Sequence, residues 1–461
     1  MIRTRTSVIL LSSALLSLGC KKNDSPSATQ KEMPDPAASA ADEAQPAKEK
    51  TVEPPAEPPR PEKKKWNVVL LTIDALRADM PWTGYPKQIA PHLTKLAEES
   101  IVYENYRSVS SYTAQTVATM LSGRYASTLY RTGTFFTNYS LANDWISESM
   151  QASGARTMAV HAHLYFDRAP GLKQGFDIWK MVPGLSWNAQ TDESVTTPRS
   201  FAAITELLSD PKNTSGQFFL WSHLMDPHDQ YVKHEETPDF GKDNRGRYDS
   251  EVFFVDRHIG EFLEFAKKQP YWESTALLIS ADHGEAFGEH GMYKHAFELW
   301  EVLTRIPLIV HLPGVPPRRI GAGRTHIDLA PTILELMGID PIEGFQGKSM
   351  VPELYGAEPE NREPLFLELA EDTNNAARRA VVSGRYKLIV FDSGKKMLFD
   401  LESDPGELTD KSKDEPEKVK ELSALIDAKF KELPVVKPYG GSKLKSGKSA
   451  DGPTGPAKTS K

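Results

Sequence analysis

Three apolar runs in this chain end on acid or imidazole. Asn67–Ile73 leads straight into Asp74, Ala276–Ser280 into Ala281-Asp282-His283, and Gln217–Trp221 is followed by His223, Asp226 and His228. Continuous apolar runs of this length read as strands buried on both faces, as in sheets covered by helices. Amphipathic stretches at Pro91–Glu99, Thr113–Leu121, Arg247–Lys267 and Asp328–Met337 alternate with them, and Arg156–Val160 and Ile306–His311 add strands. The alternation predicts an α/β fold, a large mixed, mostly parallel sheet flanked by helices. Open sheets of this kind gather ligands at the carboxyl ends of their strands. Any one of these Asp or His residues could be turn chemistry, but three separate strands delivering them to one edge mark a site.

The texture changes near Glu363. Short alternating segments, PLFLELA, RRAVVSG, YKLIVFD and KKMLFDL, precede a charged helix from about Pro416 to Leu433, which predicts a small antiparallel sheet packed by one helix. The expected organisation is 1–20 export signal, 21–65 tether, 66–345 catalytic domain, 346–436 C-terminal subdomain and 437–461 Lys-rich tail.

Both ends are unlike the middle. MIRTRTSVILLSSALLSLGC has early arginines, an apolar run too short to span a bilayer, and small residues before Cys20, the single cysteine of the chain. A lone cysteine there resembles the lipidated cysteine of bacterial lipoproteins, although Ser17 stands where such signals usually carry Leu. The expectation is an exported protein of the cell envelope, in the periplasm or on the outer membrane, held to a membrane through lipidated Cys20, and extracellular if not anchored. Lys21–Lys65 has no aromatic residue, Leu or Ile, so it cannot bury enough apolar surface to fold and reads as a tether. The stretch from Lys437 reads as a solvated tail. With 55 Lys and Arg against 63 Asp and Glu, a formal charge of −8, composition gives no case for a nucleic-acid partner.

The segment SSYTAQTVATMLSGR at Ser110–Arg124 sets hydroxyls ahead of a helical run that closes on Gly123. A plain capped helix has this look. Set beside Asp74, Asp282 and His283, it acquires a chemical role: two carboxylates and an imidazole can hold a divalent cation, which lowers the pKa of a coordinated hydroxyl. Thr113 is the candidate nucleophile and a fourth ligand, with Ser110 and Ser111 as fallbacks, and a helix N-terminus there favours an anionic ester. His228 and His295 are candidates to bind substrate oxygens or protonate the leaving group, joined by His223 and Asp226 as substrate-binding residues.

NVVLLTIDALRAD at Asn67–Asp79, WSHLMDPHDQY at Trp221–Tyr231, SADHGEAFGEHG at Ser280–Gly291, KHAFELWEVLTRIPLIVHLPG at Lys294–Gly314, THIDLAPTILELMGI at Thr325–Ile339 and GRYKLIVFDSGKKMLFDLESDPGE at Gly384–Glu407 follow one another in a familiar order. Over about Trp66–Leu433 the chain resembles the sulfatase family of the alkaline-phosphatase superfamily, which implies that family's fold and a metal-dependent ester chemistry. The family signature C/S-x-P-S/A-R-x-x-x-L/M-T-G, aligned on Gly123, puts its nucleophile at Thr113, its Pro at Gln115 and its Arg at Val117. Thr cannot be oxidised to formylglycine, so no formylglycine is expected and Thr113 acts as an unmodified hydroxyl. Threonine at this position resembles phosphodiesterases and phospho-group transferases of the superfamily. Ala75 follows Asp74 where many sulfatases have a second Asp, and His283 stands where Asn is common. That donor set leans toward one Mn²⁺ or Zn²⁺, with Mg²⁺ and Ca²⁺ open.

The leading expectation is a phosphate-ester hydrolase, for mono- or diesters, working through a covalent Thr intermediate. Beside it stand a sulfuric ester hydrolase, a phospho-group transferase acting on envelope lipid or glycan, and a binding module that has lost catalysis. Substrate choice is expected to reside in loops such as Asn138–Asn143 and Met181–Pro198.

Overall fold

The computed structural model describes residues 64–182 and 195–440. The export signal with Cys20, nearly all of the tether, most of the Met181–Pro198 loop and the tail beyond Gly440 lie outside the described residues. Among the described residues no helix is long and apolar enough to cross a membrane.

The main sheet has eight strands: β1 Asn67–Ile73, β2 Ile101–Tyr103, β3 Arg156–His161, β4 Ile178–Met181, β5 Phe218–Leu224, β6 Thr275–Ala281, β7 Leu308–His311 and β8 Arg318–Ile320. Their order is β8-β2-β7-β6-β1-β5-β3-β4, and β7 alone runs against its neighbours β2 and β6. The three central strands β5, β1 and β6 are parallel and buried along their whole length. Their unbroken apolar character follows, since a strand covered on both faces has no solvent side to make polar. Helices α1 Pro91–Glu98, α4 Thr197–Ser209 and α5 Asn244–Ala266 form one group packed against the sheet, and α2 Thr113–Ser122, α3 Ile146–Ala152 and α6 Leu329–Met337 form another.

The C-terminal sheet is a meander, β9 Leu365–Leu369, β10 Arg378–Ser383, β11 Tyr386–Phe391 and β12 Lys396–Asp400, antiparallel throughout. Helix α7 Pro416–Glu432 lays Leu422, Ile426 and Phe430 on Val381, Leu388 and Leu398 of this sheet, and its apolar i, i+4, i+8 spacing is what makes one stripe of the charged helix buriable.

The anticipated segments are all present, and one boundary has consequences. The strand expected over Gln217–Trp221 continues to Leu224, so His223 lies inside β5 rather than beyond its end. It is fully buried for that reason.

Candidate active site

Asp74 and Asp282 leave the carboxyl ends of the adjacent strands β1 and β6 and meet at the middle of the sheet edge. Asp282 Oδ1 accepts from the backbone N–H of Ala75 at 3.1 Å and of His283 at 2.9 Å. Holding that contact takes Ala75 into the left-handed region, φ 57°, which costs a residue with a Cβ. Asp282 Oδ2 and Asp74 Oδ1 are buried with no hydrogen-bond partner. Burial opposes the Asp74 charge, but His228, His223 and His283 outweigh it and hold this carboxyl well below the usual range.

His283 Nδ1 lies 3.0 Å from Gly284 O and so carries the ring proton. Its bare Nε2 faces Thr113 Oγ1 at 3.1 Å, Asp282 Oδ2 at 3.2 Å and Asp74 Oδ1 at 3.8 Å. Burial lowers the His283 pKa, and the Thr113 hydroxyl donates its hydrogen bond to Nε2. His223 adds Nε2 at 3.1 Å from Asp74 Oδ2, with Nδ1 2.9 Å from Thr72 Oγ1. Asp74, His223 and Asp282 each place one ligand atom within 4.8 Å of the others.

Two orphaned carboxylate oxygens and an imidazole lone pair turned on one point are what a divalent cation requires. The residues fit the metal that the resemblance implies. Asp74, His223 and Asp282 form a group that could hold it, and His283 Nε2 and Thr113 Oγ1 lie beside that group. His223 was expected to touch substrate; as part of a buried strand it braces Asp74 and does not line the pocket.

Thr113 opens α2, a helix whose ten residues are all buried. Its seat is fixed by packing. Gln115, in the position of the signature proline, exchanges two hydrogen bonds of 3.0 Å with the backbone of Ala370, and Val117, in the position of the signature arginine, is fully buried. Gly123 ends the helix at φ 64°, where a Cβ would come within 2.5 Å of Phe345. Ser110 donates to Gln115 Oε1 at 3.2 Å, and Ser111 is buried away from the pocket lining, so neither fallback hydroxyl is presented as Thr113 is.

Over Thr113 lies a cavity of about 390 Å³. His228 and His295 line it with rings 5.1 Å apart, and the His295 ring lies tilted 4.2 Å from that of His283. His295 Nδ1 donates to Glu285 Oε1 at 3.1 Å; burial works against the imidazolium, but the Glu285 carboxylate outweighs it and pushes the pKa up to about 9. His228 Nδ1 donates to Asp229 O at 2.8 Å, leaving Nε2 free for the cavity. Asp226 does not belong here. Its carboxylate accepts from the backbone N–H groups of Thr196 and Thr197, at 3.0 and 2.7 Å, and so serves the start of α4 instead of substrate.

Among the lining residues that were not anticipated, His163, Lys294 and Asn374 carry polar groups. His163 follows β3 at the same sheet edge, and the strand-end criterion applied to β3 finds it. Lys294, next to His295, pairs with Asp229 at 2.6 Å. Asn374 comes from the loop between β9 and β10, and nothing local in the sequence marks it. Phe135 and Phe136 form an aromatic wall, with Phe135 stacked on Tyr112 at 4.3 Å.

Known proteins carry the same plan. Residues 66–339 match the sulfatase family, more than half of the chain, and residues 288–435 match the family described as N-sulphoglucosamine sulphohydrolase, C-terminal. The chain belongs to the sulfatase family. It is 24% identical to an ulvan-active sulfatase of Formosa agariphila over 409 residues, 78% of each chain. With a choline-sulfatase of Rhizobium meliloti it shares 29% identity over 195 residues, 40% of this chain and 38% of that enzyme. Among solved structures, one described as a complex with its substrate D-glucosamine-2-N,6-O-disulfate superposes with a TM-score of 0.67 at 17% identity, covering 81% of this chain and 99% of the other. A phosphonate monoester hydrolase from Silicibacter pomeroyi gives 0.64 at 21% identity, covering 79% and 94%. At such identities the structures speak for the fold.

Proposed function

We propose that the protein is a metal-dependent hydrolase of sulfate esters in which the unmodified Thr113 oxygen attacks sulfur. The observation that carries the reading is the Thr113 hydroxyl at the pocket floor, 3.1 Å from the bare Nε2 of His283 and beside the unpartnered oxygens of Asp74 and Asp282. The sequence alone put phosphate esters first; the sulfatase match across residues 66–339 and the sulfatase relatives move sulfate ahead.

In the first step Thr113 Oγ1 gives its proton to water in the pocket and bonds to sulfur, while the bond from sulfur to the ester oxygen breaks. The departing alcohol takes a proton from the His295 imidazolium, and His228 Nε2 hydrogen-bonds the alcohol portion. In the second step water attacks the sulfo-threonine, giving its proton to His295; the bond from sulfur to Thr113 breaks, and Thr113 is reprotonated as sulfate leaves. Asp74, Asp282 and His283 would hold a divalent cation, which would supply Lewis acidity for activating the hydroxyl and offsetting charge on the ester. The nitrogen in this donor set favours Mn²⁺ or Zn²⁺ over Ca²⁺.

A second reading, hydrolysis of phosphate or phosphonate esters, is favoured by the Thr in place of an oxidisable residue and by the likeness to the phosphonate monoester hydrolase. Nitrophenyl sulfate, phosphate, phosphodiester and phenylphosphonate substrates, each assayed on chelator-stripped protein reloaded with Mn²⁺, Zn²⁺, Ca²⁺ or Mg²⁺, separate the two. Sulfate turnover ahead of all phosphorus esters supports the proposal; the reverse order replaces it with the second reading. Location in the cell envelope through Cys20 is a further part of the proposal, and Cys20→Ser, which should release the protein from membranes, tests it.

A further inference from the structure

The cavity over Thr113 has an aromatic side and a polar corner, and the two are built as one piece. Phe135 stacks on Tyr112 with rings 4.3 Å apart and 15° from parallel, and Phe297 lies parallel to Phe135 at 6.1 Å. Tyr112 is buried, so Phe135 has a fixed support while part of its own surface stays open at the cavity. The Phe135 backbone N–H donates to Thr373 Oγ1 at 3.1 Å. Thr373 immediately precedes Asn374, so the loop between β9 and β10 is pinned to the aromatic wall.

That loop is organised by the fully buried Asp372. Its Oδ1 accepts from the backbone N–H groups of Asn374, at 2.6 Å, and Asn375, at 2.9 Å, and its Oδ2 accepts from the Asn375 carboxamide at 3.0 Å. Arg131 holds the neighbouring Glu371 O at 3.3 Å. Two successive asparagines therefore have opposite fates. The Asn375 side chain is buried and committed to the turn, whereas that of Asn374 lines the cavity and has no hydrogen-bond partner among the described residues. Lys294, beside it in the lining, is committed to Asp229 at 2.6 Å. An uncommitted carboxamide on a braced backbone is a recognition element, uncharged and able both to donate and to accept.

An aromatic surface beside such a carboxamide suits one kind of alcohol. A sugar ring offers C–H faces that pack on an aromatic ring and, around its edge, hydroxyls that donate and accept. A plain aryl or alkyl group would cover the carboxamide without pairing it, which costs free energy. A ring with further anionic groups would bring charges that a neutral amide does not offset. We infer that Asn374 is a specificity-determining residue of this pocket, and that the alcohol portion of the ester is an otherwise uncharged sugar ring with a C–H face on Phe135 and a hydroxyl on the Asn374 carboxamide. This rests on the sulfate-ester reading for the group that is transferred, whereas recognition of the ring does not depend on it.

The test assays metal-loaded full-length protein and its Asn374→Ala variant on the ring monosulfates of methyl glucoside and methyl galactoside, and on cyclohexyl sulfate, which has the ring without the hydroxyls. In the parent, kcat/KM for the best sugar sulfate should exceed that for cyclohexyl sulfate by at least about tenfold, because a site that hydrogen-bonds a substrate hydroxyl rejects the analogue lacking it. Asn374→Ala should bring that ratio down by about tenfold or more. The deoxy sugar lacking the hydroxyl that Asn374 reads should lose as much in the parent and nothing further in the variant. Cyclohexyl sulfate turned over by the parent as well as every sugar sulfate overturns the inference, as does an equal loss on both kinds of substrate in Asn374→Ala. A disulfated glucoside turned over faster than its monosulfates overturns the uncharged ring. The same alcohols presented as phosphate esters keep the two claims apart: turnover of phosphates in place of sulfates removes the function proposed above, and the sugar-to-cyclohexyl ratio among the phosphates still decides the role of Asn374.

Discussion

Two of the buried charge clusters among the described residues are finished differently. At the junction with the C-terminal sheet, Arg107 holds Glu301 through contacts of 2.7 to 3.2 Å, and Lys387 bridges Glu301 at 3.0 Å and Glu407 at 2.9 Å. Two cations meet two carboxylates, and the charge closes on itself. At the sheet edge Asp74 and Asp282 keep one oxygen each without a partner, and His283 turns a lone pair toward both. Leaving such groups buried and unpaired costs stability, a cost that a cation from outside would offset. Equal burial thus separates a structural cluster from a functional one once its internal pairing is examined.

Substitutions at four positions sharpen or break that contrast. Thr113→Ala should have the largest effect, lowering kcat by roughly 10³-fold or more with an unchanged circular dichroism spectrum and melting curve, whereas Thr113→Ser should keep some turnover. Lys387→Met should do the opposite: it strands the buried Glu407 carboxylate, since Arg107 still holds Glu301, and destabilises by about 3 kcal/mol in urea unfolding, while the surviving folded enzyme keeps its KM. His295→Gln is expected to lower kcat by roughly 10²-fold for an alkyl ester, whose leaving group needs the proton, and far less for a nitrophenyl ester. The smallest effect carries the opposite sign. In chelator, Asp282→Asn should stabilise the fold by about 1 kcal/mol, because it removes a buried negative charge whose Oδ2 had no partner, even as activity is lost. A melting temperature of metal-free Asp282→Asn below that of the parent would mean that the catalytic cluster is internally satisfied like the other.

Much of this was legible in the order of residues. β1 and β6 announce themselves through unbroken apolar runs, and Asp74, Asp282 and His283 by following those runs directly, because a strand end fixes where the next residue lies. His223 was misjudged by the same logic: Ser222 and His223 are polar, yet β5 continues through them, since sheet pairing with β1 and β3 overrides local composition. Asp226 looked like a site residue by proximity, but its two backbone donors come from residues 30 and 29 positions away. Lys387, Glu301 and Arg107 could not be read as a cluster at all, for they are brought together across 86 and 194 positions of chain. Side chains that answer to distant partners leave no local trace.

The central claim, that Thr113 completes the unpaired cluster as an unmodified nucleophile, has one direct measurement. Metal-loaded enzyme is mixed with excess nitrophenyl sulfate, and separately with nitrophenyl phosphate, quenched in acid within the first turnover and digested, and the peptide spanning Ser110–Arg124 is sequenced by mass spectrometry. The account predicts intact threonine before mixing and a sulfo or phospho group on Thr113 after it, accompanied by a burst of nitrophenol and abolished by chelation of the metal. Steady turnover with an unlabelled Thr113, or turnover that survives in Thr113→Ala, would contradict it and make a water molecule the attacking group.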